Sequence, residues 1–157
     1  MPVTENEFRN AMSRFASGVT VVVSKDAEER LHGITVSAFS SVSLSPPLVL
    51  ICVEKTTGSH AALAETEHFT VNVLSSDQQD ISQKFASWNL EKFDGLDMTM
   101  GELGLPMVNG CLANLECTIS RIIDAGDHSI FVGEVAHAYI FDGDPLIYFR
   151  SDYRGLE

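Results

Sequence analysis

Basic residues are scarce in this chain: ten Lys+Arg stand against 22 Asp+Glu, for a formal net charge of −12. Binding a nucleic-acid backbone takes several clustered cations, and no basic stripe supplies them. Nucleic acid and anionic membrane are therefore not expected partners. Few cations remain to meet any anionic ligand, chiefly Lys25, Arg30, Lys55, Lys84, Lys92, Arg121, Arg150 and Arg154. Cysteine is equally sparse. Cys52, Cys111 and Cys117 form no C-x-x-C pair and cannot all pair internally, which suits a reducing compartment. No apolar run approaches the roughly 20 residues that span a bilayer. The opening stretch Met1 to Glu7 lacks the charged and apolar regions of a signal peptide, so a cytoplasmic protein is expected.

Several chemistries are missing too. His32, His60, His68, His128 and His137 show no H-x-x-x-H, H-E-x-x-H or Cys/His ligand spacing, so no metal site is expected. No G-x-S-x-G elbow marks a hydrolase nucleophile. Cys52 lies in an apolar run, where burial raises a thiol's pKa and makes it inert. No G-x-G-x-x-G follows a strand, so any nucleotide or flavin must be held without a Rossmann turn.

What is present reads as one domain, residues 1–157, long enough to bury a core without disulfides. Thr4 and Glu7 have capping-box spacing, and Phe8, Ala11, Met12 and Phe15 follow as an apolar helical stripe that Gly18 is placed to end. Strands are predicted over Val19 to Ser24 and Leu31 to Ser37, joined by a charged turn. The run Leu48 to Val53 is apolar without alternation and predicts a strand buried on both faces. Ser59 is placed to cap a short helix to Glu65, and Ser76 with Gln79 a second one to about Phe85. Phe69, Val71 and Val73 alternate with polar residues as a half-buried strand. Trp88 to Gly110 shows little periodicity and reads as a long irregular segment of the kind that often serves as a lid. Two long strands then pair through the turn Asp124 to Asp127, before a short strand Leu146 to Phe149. The sum is mainly β with short helices, a small antiparallel barrel rather than a βαβ fold.

The most informative stretch is Thr35 to Pro47, in which six of thirteen side chains are hydroxyls interleaved with Val36, Phe39, Val42 and Leu44. Extended backbone that buries one side and offers hydroxyls and amides on the other suits a flat aromatic ligand with a polyol phosphate tail. Taken alone, the run reads equally as an edge strand ending in a Pro-rich turn.

The stretches Phe15 to Val22, Thr35 to Val49, Phe69 to Leu74, Lys92 to Gly95, Gly126 to His128, Phe131 to Val135 and Pro145 to Tyr148 occur in an order that resembles the flavin reductase-like family. These are short-chain NAD(P)H:flavin oxidoreductases on the FMN-binding split barrel. The resemblance runs from about Phe8 to Leu156. It implies a six-stranded antiparallel Greek-key split β-barrel, a homodimer and a flavin site beside the dimer interface.

It also implies where the ligands sit. Thr35, Val36, Ser37, Ala38, Ser40 and Ser41 are expected around the flavin ring and ribityl chain. Val53, Glu54, Lys55, Thr57, Ser59 and His60 are expected around its phosphate, since free amides at a helix start beside a lysine favour an anion. Relatives often carry an aspartate where this chain has Glu54. Lys84 and Phe85 lie in a neighbourhood that covers the flavin in similar proteins, although Phe85 also has core spacing from Ile81. His128, in Gly-Asp-His, and the tail pair Tyr153 and Arg154 are expected at the nicotinamide, against the plainer readings of a solvated turn and a packed tail. Ser151 replaces a glycine of the family's tail pattern.

A flavin accepts hydride directly, so no side chain is assigned a catalytic proton transfer. The expected function is NAD(P)H-dependent reduction of FMN or FAD, with NADH or NADPH as co-substrate. Reduced flavin would pass by diffusion to a separate flavin-dependent monooxygenase. The alternative is a non-catalytic flavin- or haem-binding split-barrel protein. A pyridoxamine-phosphate-oxidase-like enzyme would want more basic residues than this chain has.

Overall fold

Local capping opens the fold as the sequence predicts. In the computed structural model, which describes residues 2–88 and 91–156, the Thr4 hydroxyl accepts the Glu7 amide at 3.1 Å and the Glu7 carboxylate accepts the Thr4 amide at 2.9 Å. Met1, Asn89, Leu90 and Glu157 lie outside the described residues. The helix this box opens, α1 (Glu5–Met12), ends at Ser13 rather than at Gly18, which instead belongs to β1 (Ser17–Gly18). None of its residues is buried, and Phe8, Met12 and Phe15 stand 55%, 54% and 80% exposed.

The chain continues through β2 (Thr20–Lys25), β3 (Leu31–Val36), β4 (Phe39–Ser43), β5 (Leu48–Glu54), α2 (Gly58–Glu65), β6 (His68–Val73) and α3 (Gln79–Phe85). Then follow β7 (Met98–Met100), β8 (Pro106–Val108), β9 (Ala113–Ala125), β10 (His128–Ile140), β11 (Ile147–Phe149) and β12 (Asp152–Arg154). Seven strands form one antiparallel sheet in the order β3-β2-β6-β9-β10-β5-β4. This differs from the six strands expected, and the two edges, β3 and β4, do not pair with each other. They are consecutive in the chain, so Ser37 and Ala38 alone carry the backbone from one edge to the other.

Two apolar clusters hold the sheet. Val22, Ile51, Phe69, Val71 and Phe131 belong to the first, and Val21, Val23, Leu74, Phe85 and Val108 to the second. Strand β2 is therefore buried on both faces. The sequence assigned that role to β5, where burial instead alternates: Val49, Ile51 and Val53 are buried, whereas Leu48, Leu50 and Cys52 are only half-buried. The difference lies in what covers the outer face. Helix α3 packs against β2 and β3, and Phe85 joins Val21 and Val23 in the second cluster.

Three local expectations are corrected. Helix α2 is capped by Thr57, whose hydroxyl accepts the His60 amide at 3.1 Å, and Ser59 is buried in its first turn. Helix α3 starts at Gln79 without a side-chain cap at Gln78. The Gln78 amide oxygen instead accepts the Ser75 backbone N–H at 2.9 Å, tightening the turn before the helix. The described part of Trp88 to Gly110 is not structureless. β7 and β8 form a hairpin, with Leu105, Met107 and Val108 buried. Asn72 Oδ1 accepts the Val108 amide at 2.9 Å, and the buried Glu116 carboxylate accepts the Leu103 amide at 2.9 Å. Strands of three residues are too short to show a period.

The β2–β3 turn is organised by Asp26, which accepts the Glu28 amide at 2.9 Å and the Arg30 amide at 3.1 Å. His32, bonded to the Asp26 carboxylate at 2.9 Å, is the main cause that holds this carboxyl well below the usual range. A depressed folded pKa gives stability that is present above the unfolded value and lost as pH falls through the folded one. The turn is accordingly expected to loosen as pH drops below about 4. A fall in the protection of the Glu28 and Arg30 amides, measured against the intrinsic exchange rate at each pH and seen in acid but not at neutral pH, would register it. Among the described residues no helix is long and apolar enough to cross a membrane.

Candidate functional site

Register brings the end of β5 and the β9–β10 turn together. Val53 pairs with Ser129 and Glu54 with His128, while Ser129 pairs on its other side with Asp124. The segment after β5 is fastened to that turn. Lys55 N–H donates to the Asp127 carbonyl at 2.9 Å, and the Lys55 ammonium donates to the Gly126 carbonyl at 2.7 Å. The same ammonium forms an ion pair with the Asp124 carboxylate.

Thr57 completes the turn into α2, donating its hydroxyl to the Glu54 carbonyl at 2.8 Å while capping His60 N–H. His60 Nε2 lies 2.8 Å from Ser129 Oγ, and its ring stands edge-on to Phe131 with centroids 5.4 Å apart. His128 Nδ1 is 2.8 Å from Asp127 Oδ1. Lys55, Thr57, His60 and His128 thus come from three separate segments into one group. Its acids are held charged: the hydrogen bond from Lys55 keeps the Asp124 carboxyl below its ordinary range, and the one from His128 does so for Asp127. Glu54 is exposed, whereas Val53 is buried in the first core cluster and its side chain is closed to a ligand.

The hydroxyl-rich run occupies the junction between the sheet's two edges. Ser37, Ala38, Ser40 and Ser41 are exposed, whereas Val36 turns into the core. Because β4 is an edge strand, one line of its backbone groups has no strand partner. The Ala38 carbonyl is used internally, accepting the Cys52 amide at 3.0 Å, and Ser40 bonds the Ser41 carbonyl at 2.9 Å. A ligand there would meet edge amides and exposed serines.

Thr35 and Tyr153 are gathered by a residue that the sequence reading did not single out. Thr35 Oγ1 donates to the Ser82 carbonyl at 2.6 Å, and the Ser82 hydroxyl lies 2.7 Å from Tyr153 OH. Ser82 is wholly buried in α3, and no motif flags it; only the packing of α3 against β3 and the tail gives it a role. Lys84 donates to the Asp94 carbonyl at 3.0 Å. Phe85 is wholly buried, edge-on to Phe93 at 5.1 Å, in keeping with the core placement that its spacing from Ile81 allows. In the tail sheet β1-β11-β12, Tyr153 stands edge-on to Tyr148 at 5.3 Å. Arg154 lies 5.6 Å over the Phe149 ring and 3.7 Å from Asp152.

Burial raises the Cys52 thiol pKa and pushes Cys111 up to about 11 and Cys117 up to about 12.

The chain matches the family model described as flavin reductase like domain over residues 12–157. FMN reductase (NADH) SmoA of Agrobacterium fabrum is 45% identical over 150 residues, 94% of this chain and 85% of that protein. HsaB, the reductase subunit of a flavin-dependent monooxygenase in Mycobacterium tuberculosis, is 36% identical over 153 residues, 96% of this chain and 81% of that protein. The NADH:FAD oxidoreductase SgcE6 of Streptomyces globisporus, solved with NAD and FAD fragments, superposes with a TM-score of 0.92 at 35% identity, covering 100% of this chain and 98% of that one.

Proposed function

Because the chain belongs to the flavin reductase-like domain family, we propose that it is an NADH-dependent flavin reductase that moves hydride from a nicotinamide to FMN or FAD. Residues 1–157 are read as one such domain, on the split barrel, with the split between β3 and β4. The observation that carries the reading is relatedness along nearly the whole chain to reductases of this activity. Relatives that serve as reductase components of monooxygenases support a separate oxygenase partner, reached by diffusion of reduced flavin. The three free cysteines are in keeping with a reducing, cytoplasmic setting.

The residues present suit a flavin. Exposed Ser37, Ser40 and Ser41 and the open edge of β4 offer hydrogen bonds to a planar ring and its polyol chain. Lys55, Thr57 and the start of α2 offer charge and amides to a phosphate. The flavin, when bound, supplies the hydride-accepting chemistry, and the protein supplies placement. In this reading His128 orients the nicotinamide carboxamide, with Asp127 fixing its ring. Tyr153, held by Ser82, closes the tail over the site beside Arg154.

Purified protein is expected to oxidise NADH only when FMN or FAD is bound or added. His128→Ala is expected to raise the KM for NADH about threefold to tenfold, the worth of one hydrogen bond, while flavin affinity holds. Absence of NADH oxidation with either flavin would defeat the enzyme reading and leave a flavin-binding module.

A homodimer is part of the proposal. The outer faces of β5, β10 and β9 carry Leu48, Leu50, Cys52, Ile130 and Ile123, all only half-buried in one chain. Their core-facing neighbours Ile51 and Phe131 pair across the same strands, so these apolar groups lie together on the far side. A two-fold partner is the commonest way to cover such a face.

A further inference from the structure

The Lys55 ammonium, on the segment that leads into α2, already has an anion. It pairs with Asp124 at the end of β9 and donates to the Gly126 carbonyl at 2.7 Å. Three carboxylates, Glu54, Asp124 and Asp127, belong to the same cluster of segments, and His128 is bonded to one of them at 2.8 Å. Asp124 is held there by register, because Ser129 pairs with Val53 on one side and with Asp124 on the other. The pair is open to water, with side chains 39% exposed for Lys55 and 81% for Asp124. An exposed ion pair is weak and easily exchanged, so an arriving anion can displace this carboxylate at small cost.

Resting on the reading that Lys55 and Thr57 meet the flavin phosphate, we propose that Asp124 is a built-in competitor for that phosphate. It sets how strongly the protein prefers FMN over the unphosphorylated flavin riboflavin. To bind FMN, the phosphate must take over Lys55 while Asp124 swings into solvent and remains a nearby negative charge. Both effects weaken the hold on the phosphate and leave the hold on the ring unchanged. A carrier whose reduced product must leave is served by a tail site that grips loosely. Asp124 is a specificity-determining residue in this account; it touches no reacting atom.

The test is a fluorescence-quenching titration of FMN and of riboflavin against the wild type, Asp124→Asn, Lys55→Gln and the double variant. Asp124→Asn keeps the size of the side chain and removes its charge. It is expected to tighten FMN about twofold to fivefold, the range of an exposed ion pair, and to leave riboflavin unmoved. In the double variant, with no ammonium to compete for, the gain should shrink to the small part that comes from removing a nearby negative charge. A gain in affinity confined to the phosphorylated ligand cannot arise from damaged folding.

FMN binding that is unchanged or weaker in Asp124→Asn, with Lys55→Gln still lowering FMN affinity, would overturn the inference and spare the site. A Lys55→Gln variant whose FMN-to-riboflavin preference equals the wild type would place the phosphate elsewhere, overturning the site reading and this inference together.

Discussion

Phe85→Ala is expected to destabilise the protein by about 3–5 kcal/mol, the usual cost of emptying a buried phenylalanine site. For a chain of this size that is a fall in melting temperature on the order of 10 °C. The ring is wholly buried. A Cβ on Gly33 would come within 2.6 Å of Phe85 Cδ1, so the glycine exists to admit the ring. Phe93 closes the other side, edge-on at 5.1 Å. Lys92 then ties the assembly together, its ammonium donating to the Gly33 carbonyl at 3.1 Å and the Phe85 carbonyl at 3.2 Å. Few neighbours can collapse into the vacancy, because β3 and the segment around Lys92 are held by those same contacts. A thermal melt and a urea titration measure the loss. If the melting temperature moved by under about 3 °C while flavin affinity collapsed, Phe85 would be a ring-facing residue and its core role would be wrong.

Leu50→Asp is expected to convert the proposed dimer into a folded monomer and to weaken flavin binding at least about tenfold. Leu50 is half-buried in a single chain, so an aspartate there can still reach water in the monomer. Across a two-fold interface the same carboxylate would be desolvated and would face apolar groups, a penalty of several kcal/mol. Flavin affinity should fall with it if residues of both chains border the site. Light scattering reads the mass and fluorescence quenching reads the affinity. A dimer that survives Leu50→Asp would move the interface to another apolar surface, with the exposed Phe8 and Met12 of α1 and Phe15 just beyond it the next to test. A monomeric wild type with flavin binding intact would remove the dimer from the account.

Other elements are set by neighbours in the chain. Thr4 and Glu7 are three residues apart, and the box they form needs nothing but a helix start, so spacing was enough to find it. The long strands β9 and β10 and their turn at Gly126 are likewise local, set by alternation and a glycine at φ 67°. The hydroxyl run reached the exposed junction of β3 and β4 because its composition suits neither a core nor a solvated loop. Phe85 is different: helical spacing from Ile81 was compatible with core or ligand, and Gly33, more than fifty positions away in the chain, decides it.

What the sequence determined by itself was the class of protein and most of its elements, through short-range rules: capping, period, turn chemistry, charge balance and an ordered set of motifs. Tertiary structure alone decided which strands are buried on both faces, because a sequence pattern does not say what will lie across it. These are β2 and also β6, whose alternation predicted a half-buried strand. β2 received α3 and the second core cluster, and β5 kept an open outer face. It also decided the partners of the polar groups. Asp124 meets Lys55, and Ser82 meets both Thr35 and Tyr153, through register and helix packing over 69, 47 and 71 positions of chain. Contacts at that range depend on how the whole sheet closes, and no local pattern carries that information.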